Sequence, residues 1–236
     1  MKVTEKSVRE DLAALYRLMH HMGISHRIYN HHSARVPDDP DVILINSFGL
    51  LQDEIRASNL IKVGREDAES NQAASVIHWG IYDAREDVNC IVHHHSAATV
   101  AMSSLDCGLL PMSQGAMQFF NRIGYHVYEG MTFNLDECPR LAASLGPHRA
   151  MFLKNHGALI CARSVAEAYV LTDDLEKACI SQLLAMSGGA NIVLPNNEVC
   201  ERTARQFENM PQPRGEALDW PAALRLLERL NINYHD

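Results

Sequence analysis

Apolar and polar positions follow two different periods along the chain, and these periods predict an ordered series of helices and strands. Val8, Leu12, Leu15 and Met19 recur at three- and four-residue intervals, which predicts a first helix over residues 4–22. Short apolar runs bounded by turn residues predict strands instead. The predicted strands span residues 28–36, 42–46, 60–63, 88–92, 125–128, 150–154 and 157–161.

The helical period returns in several later segments. Further helices are predicted over residues 71–86, from 96 onward, and over 136–145, 164–186, 198–209 and 219–230. Because strands and helices alternate irregularly, we expect an α/β fold with three α/β/α layers around a central, largely antiparallel or mixed sheet. This domain should span residues 1–190. Residues 191–236 should form a C-terminal extension with a terminal helix, packed on the same domain or on a neighbouring subunit.

Composition narrows the class of protein. The chain has 236 residues and a formal net charge of −8, which argues against nucleic acid or an anionic membrane surface as its main partner. We see no signal peptide at the N-terminus and no apolar run approaching the roughly 20 residues of a transmembrane helix. The six cysteines lack any Cys-x-x-Cys pair, which favours reduced thiols. We therefore expect a cytoplasmic protein.

The apolar run at 88–92 leads directly into three consecutive histidines, and this is the strongest chemical signal in the chain. Alternate residues of a strand point to the same face, so His93 and His95 should project together while His94 points away. Neutral imidazoles are good ligands for zinc and other first-row metals. The best third ligand is His156, which also follows a strand-like run and precedes Gly157, where the chain can turn tightly.

Four short segments form a combined signature along most of the chain. They read HHHS at 93–96, CGLLP at 107–111, LKNHGAL at 153–159 and SVAEA at 164–168. Together they resemble the class II aldolase/adducin family, and residues 29–35 and 122–130 resemble its bacterial adducin-like branch. The resemblance covers roughly residues 8–190. It implies the family fold, a homotetramer, and a divalent metal held by His93, His95 and His156, with zinc expected and iron or manganese as alternatives.

The sequence departs from the sugar-phosphate aldolases of this family at the catalytic base and at the phosphate site. Aligned through His78, the position of the catalytic glutamate is Ala74, which cannot move a proton. The family's phosphate-binding Gly-Asn-x-Ser reads as residues 30–33, Asn-His-His-Ser, and its Thr-Gly reads Phe48-Gly49. These changes argue against a phosphorylated sugar as substrate.

The resemblance and these departures give the remaining candidate site residues. We expect His31, His78 and Tyr234 to be catalytic, the last by reaching the site of a neighbouring subunit, as C-terminal tyrosines do in the aldolases. The residues expected to bind substrate are Asn30, His32, Gly49 and Gln114.

A metal held by three histidines keeps an open position that can chelate a 2-oxo acid, a 2-hydroxy acid or a catechol. Aldol cleavage also needs a base, whereas decarboxylation needs an electron sink and a later proton donor. The loss of the glutamate therefore favours decarboxylation. We predict a metal-dependent carbon–carbon lyase, of aldolase or decarboxylase type, acting on a small carbonyl, hydroxy-acid or aromatic-acid substrate. The alternatives are a non-heme iron oxygenase with the same ligands and a non-catalytic adducin-like binding module.

Overall fold

The computed structural model describes residues 3–65, 72–131, 134–210 and 215–236, without the side chains of 72–75. Within these ranges, the α-helices and strands confirm the predicted order, and among them only the short α4 is not predicted by the apolar pattern. The helices are α1 Glu5–His21, α2 Gln72–Ala84, α3 Ala97–Ser103, α4 Gln114–Met117, α5 Cys138–Leu145, α6 Val165–Ser187, α7 Asn197–Glu208 and α8 Trp220–Arg229. The strands are β1 His31–Val36, β2 Asp39–Asn46, β3 Leu60–Gly64, β4 Cys90–His94, β5 Ile123–His126, β6 Ala150–Leu153 and β7 Gly157–Ala162.

The seven strands form one mixed sheet in the order β3-β2-β1-β4-β7-β6-β5. Each neighbouring pair is antiparallel except β5 and β6, which are parallel. One hydrophobic core joins a face of the sheet to α1, α3, α6 and α8, and a second core joins the other face to α2 and α5. The predicted three-layer α/β/α architecture is therefore confirmed.

Helices α7 and α8, which lie in the predicted C-terminal extension, pack on earlier elements of the same chain. The indole nitrogen of Trp220 in α8 donates to a carboxylate oxygen of Asp11 in α1 at 3.0 Å. Arg122, just before β5, forms a 2.9 Å ion pair with Glu201 of α7. The proline-rich residues 211–214 lie outside the described ranges, and a contact of this extension with a neighbouring subunit remains a prediction.

Two further features bear on the environment of the protein. Among the described residues, no helix is both long enough and apolar enough to cross a membrane. All six cysteines are free thiols, and four of them are buried.

Candidate metal centre

Three adjacent central strands bring the predicted ligands together. His93 lies on β4 and is paired with His31 of β1 on one side and Leu159 of β7 on the other. His95 follows the end of β4, and His156 lies in the turn between β6 and β7. The ligand nitrogens of the three histidines all lie within 4.8 Å of one another, and the Nε2 atoms of His95 and His156 are 2.9 Å apart.

The turn that carries His156 has a specific backbone geometry. Asn155 has a φ of 58°, a left-handed conformation that asparagine tolerates better than most residues. Gly157 serves a different purpose from the tight turn predicted from the sequence. A Cβ atom at this position would lie 2.5 Å from the carbonyl oxygen of His94 and 3.2 Å from Cδ2 of His95. The glycine is therefore needed because β7 passes very close to the end of β4.

Hydrogen bonds orient two of the three rings. Nδ1 of His93 lies 3.0 Å from the carbonyl oxygen of Ala158, and Nδ1 of His95 lies 3.0 Å from Oδ1 of Asn30. Both partners are acceptors, so each Nδ1 carries the proton and each Nε2 remains available as a ligand. The side-chain amide of Asn30 is itself anchored, because its nitrogen donates to the carbonyl oxygen of Ile24 at 3.0 Å.

The ligand set fits a divalent transition metal. Burial lowers the pKa of His93 well below its ordinary value and that of His95 to about 3, so both rings are neutral, the form that binds metal. Four-coordinate zinc with nitrogen ligands at about 2.0 Å requires nitrogen–nitrogen separations of about 3.3 Å. The separation of 2.9 Å between His95 and His156 lies close to that requirement.

A buried hydrogen-bond chain runs from the metal centre into the layer formed by α2. Nδ1 of His31 lies 2.7 Å from Nε2 of His78, and Nδ1 of His78 lies 2.5 Å from Oγ of Ser33. Ser33 Oγ lies 2.9 Å from the hydroxyl of Tyr82. The ring of His31 also packs beside that of His93, with centroids 4.8 Å apart. Burial lowers the pKa of His31 well below its ordinary value and that of His78 to about 3, so both rings are neutral.

A cavity of about 1030 Å³ opens above the three histidines. His31 lines it beside the ligands, whereas His78 lies behind His31 and is fully buried. The outer walls of the cavity are largely apolar and include Tyr29, Phe48, Tyr128 and Met131. Within the described ranges, no lysine, arginine, aspartate or glutamate lines this cavity.

Two of the predicted substrate-binding residues have other contacts. His32 is fully buried and lies on the opposite face of the sheet from His31, because neighbouring strand residues alternate. Its Nε2 lies 2.9 Å from the side-chain nitrogen of Gln52, and it does not line the cavity. Asn30 is also buried and holds the ligand His95, so it acts behind the metal centre.

The structure does not bring the other predicted residues to the cavity wall. Gly49, with a φ of 101°, shapes the loop that presents Phe48 but does not itself line the cavity. Gln114 is exposed at the start of α4. Tyr234 is 7% exposed, and its side chain packs in the core of its own chain instead of projecting towards a neighbouring subunit. Ala74 lies in α2, and its side chain is outside the described structure.

Sequence reasoning missed the roles of Ser33 and Tyr82, although the signal was present. Ser33 follows His31 by two residues on a strand, and Tyr82 follows His78 by four residues on a helix. These spacings place each pair on one face of its element. The walls formed by Tyr29, Tyr128 and Met131 had no comparable signal, because they come from loops that are distant in sequence.

Comparison with known sequences identifies relatives across the whole chain. The sequence profile described as the class II aldolase and adducin N-terminal domain matches residues 10–183. The chain is 37% identical to a Pseudomonas aeruginosa protein provisionally named an aldolase class 2 protein, an alignment that covers 99% of this chain and 94% of that protein. It is 40% identical to the alpha-adducin of Rattus norvegicus over 80% of this chain, but over only 28% of that longer protein.

Solved structures agree with the sequence relatives. An aldolase II superfamily protein from Pseudomonas syringae superposes with a TM-score of 0.93 at 40% identity, covering 100% of this chain and 98% of that one. An L-fuculose 1-phosphate aldolase from Glaciozyma antarctica superposes with a TM-score of 0.85 at 24% identity, covering 100% and 96% of the two chains, which shows a shared fold. The chain therefore belongs to the class II aldolase and adducin family.

Proposed function

We propose that this protein is a metal-dependent carbon–carbon lyase whose substrate chelates one divalent ion held by His93, His95 and His156. The observation that carries the proposal is the convergence of these ligand nitrogens within 4.8 Å at the base of a large cavity. When bound, a divalent ion such as zinc would polarise a substrate carbonyl and stabilise the negative charge that develops on its oxygen. Iron and manganese suit the same ligands.

The cavity walls favour an apolar or aromatic substrate over a phosphorylated sugar. Phosphate sites are usually built from arginine, lysine or backbone amides at a helix N-terminus. Within the described residues, no arginine or lysine side chain lines this cavity, and Phe48 occupies its wall. Tyr29 lies beside Phe48, with ring centroids 6.5 Å apart, and both are roughly half exposed. An aromatic group on the substrate would cover these rings and stack against them.

The same lining favours decarboxylation over aldol cleavage. Aldol cleavage needs a base to remove the hydroxyl proton, and among the described residues no carboxylate lines the cavity, which leaves histidine side chains such as His26 for that step. In a 3-oxo acid, the bond to the carboxylate carbon breaks, carbon dioxide leaves, and the electron pair moves to the carbonyl oxygen. Solvent water then supplies the proton that completes the product. His31 lies in the cavity wall, where its ring can hydrogen-bond to the oxygen that gains charge.

Metal content and turnover of an aromatic 3-oxo acid test the proposal together. Untagged protein should contain one divalent ion per chain and release carbon dioxide from benzoylacetate faster than from acetoacetate. His95→Ala should lose both metal and activity. His148→Ala, which changes a histidine away from the cavity, should retain both. Full metal occupancy in His95→Ala would contradict the proposed ligands. Efficient cleavage of fuculose 1-phosphate by the native protein would instead contradict the proposed substrate class.

A non-catalytic binding module is the second candidate, because the chain shares 40% identity with an alpha-adducin over most of its length. Metal-free native protein with no turnover would favour this candidate. Iron in the native protein together with substrate-dependent oxygen consumption would instead favour an oxygenase. A homotetramer remains the expectation from the family resemblance, and a cytoplasmic location remains the expectation from the cysteine pattern.

A further inference from the structure

The hydrogen bonds of the buried chain His31–His78–Ser33–Tyr82 all donate in the same direction along the chain. That direction determines which nitrogen of His31 carries a proton. We propose that Ser33, backed by Tyr82 and acting through His78, holds His31 as the Nε2–H tautomer, so that its ring presents a hydrogen-bond donor to the metal cavity. Ser33, His78 and Tyr82 are positioning residues in this proposal. Only His31 faces the cavity.

The direction is set at the inner end of the chain. Among the described residues, Ser33 Oγ is the one hydrogen-bond partner of the Tyr82 hydroxyl, and the Tyr82 side chain is 1% exposed. Burial raises the pKa of Tyr82 well above its ordinary value, so the hydroxyl keeps its proton. A buried O–H group without an acceptor loses its hydration without compensation. The Tyr82 hydroxyl therefore donates to Ser33.

The remaining bonds follow one after another. Ser33 Oγ accepts from Tyr82 and gives its own proton to Nδ1 of His78, 2.5 Å away. A neutral imidazole has one N–H group. The proton of His78 must therefore be on Nε2, from which it donates to Nδ1 of His31 at 2.7 Å. His31 then carries its proton on Nε2, the ring nitrogen that can contact a bound substrate. The opposite direction would leave a buried hydroxyl proton without an acceptor.

This tautomer is the opposite of the one imposed on the metal ligands. His93 and His95 are held with the proton on Nδ1, which leaves Nε2 as a lone pair for the ion. His31 lies beside His93 but presents an N–H group, so it does not act as a fourth ligand. A neutral N–H group there stabilises a substrate oxygen that gains negative charge. That chemical role rests on the proposed function, whereas the tautomer itself does not.

Isotope-edited NMR of the histidine rings measures the tautomer directly, and His31→Gln identifies the His31 signals by their loss. The full chain is measured after chelator treatment and again after loading with zinc. We expect His31 to carry its proton on Nε2 in both states, while His93 and His95 carry theirs on Nδ1. A proton on Nδ1 of His31, or zinc bound at its Nε2, would overturn the proposal. Neither the proton position nor the zinc-binding atom depends on turnover. A failure of the proposed function can therefore be distinguished from a failure of the proposed tautomer.

A substitution at Ser33 tests the cause of the tautomer. In Ser33→Ala, water that enters the space left by the hydroxyl can either donate to or accept from His78, so the preference should disappear. The Nε2–H form should fall from an excess of at least about five-fold to near parity. Ser33→Thr, which keeps a hydroxyl, should restore it. The matched control is Ser103→Ala, because Ser103 is also buried but donates to the carbonyl of Val100 in its own helix. An unchanged His31 tautomer in folded Ser33→Ala would refute the role of Ser33.

Discussion

Gly157 lets β7 pass close to the end of β4, so replacing it with alanine should open the metal centre without altering a ligand. The added Cβ atom would lie 2.5 Å from the carbonyl oxygen of His94. The closest ordinary carbon–oxygen contacts are about 3.3 Å long, so the two backbones must separate by about 0.8 Å. His156 directly precedes Gly157, and this separation should therefore carry its ring away from His95.

The expected effect has two measurable parts. Overpacking of this kind typically costs about 1–3 kcal/mol of folding free energy. For a chain of this size, that corresponds to a fall in melting temperature of roughly 2–12 °C. A metal site tolerates errors of only about 0.2 Å in its ligand distances. We therefore expect Gly157→Ala to weaken zinc binding by at least the roughly 10- to 100-fold that is typical when a supporting residue is lost.

Scanning calorimetry and a zinc titration against a chromophoric chelator measure the two parts separately. The matched control is Gly115→Ala in α4, because a Cβ atom at Gly115 meets no atom within 4 Å. This control should leave both the melting temperature and the zinc affinity near the native values. Native zinc affinity in Gly157→Ala would show that the close approach of β7 and β4 does not position the ligands.

Two further predictions concern pH and substrate. Burial lowers the pKa of His78 from 6.5 to about 3, so below pH 6.5 the unfolded chain binds a proton that the folded chain does not. The free energy of unfolding should therefore fall as the pH is lowered from about 6.5 towards 3, and His78 alone should account for about 2 kcal/mol between pH 7 and pH 5. In urea denaturation of chelator-treated protein, His78→Asn should lose correspondingly less stability over this range, and equal losses would refute the assignment. Phe48→Ala should raise the KM for benzoylacetate roughly 2- to 12-fold, the value of one aromatic contact. Leu184→Ala, an exposed apolar residue on α6 outside the cavity, should leave KM unchanged, and an unchanged KM in Phe48→Ala would exclude Phe48 from the substrate contact.

The elements of the fold could be predicted from the sequence because each depends on a local period. The predicted strand 157–161, for example, is β7 Gly157–Ala162 in the structure. The order of the strands could not be obtained in this way. β4 pairs with β1 and β7, which are distant in sequence, and such pairings depend on how helices from other parts of the chain cover the sheet. The parallel pairing of β5 with β6 inside an otherwise antiparallel sheet is likewise a result of tertiary packing.

The metal ligands could be predicted from the alternation of side chains along a strand together with the family motif, whereas several of the predicted substrate residues could not be placed in this way. A period of two places His93 and the residue two positions later on one side, and the family motif supplies His156. Applied to β1, the same period separates His31 from His32, although the motif at residues 30–33 places both in the expected site. Gln114 and Tyr234 are predicted from neighbouring motifs and from the family resemblance. Nothing in the local sequence indicates that one is exposed on α4 and the other packed in the core.

The two changes at the position of the aldolase phosphate site, Phe48 and His31, are both consistent with a substrate that carries no phosphate. By the family resemblance, Phe48 stands where the sugar-phosphate aldolases have a hydroxyl residue, and its ring adds an aromatic surface to the cavity wall. By the same resemblance, His31 stands where they have an asparagine, and its larger ring contacts His78 on α2. A histidine whose two nitrogens were both free to exchange protons could compete for the metal, since it lies beside His93. The buried hydroxyls of Ser33 and Tyr82 remove that ambiguity, because their protons need an acceptor. The residues behind the cavity therefore determine whether His31 acts as a donor to substrate or as a ligand to metal.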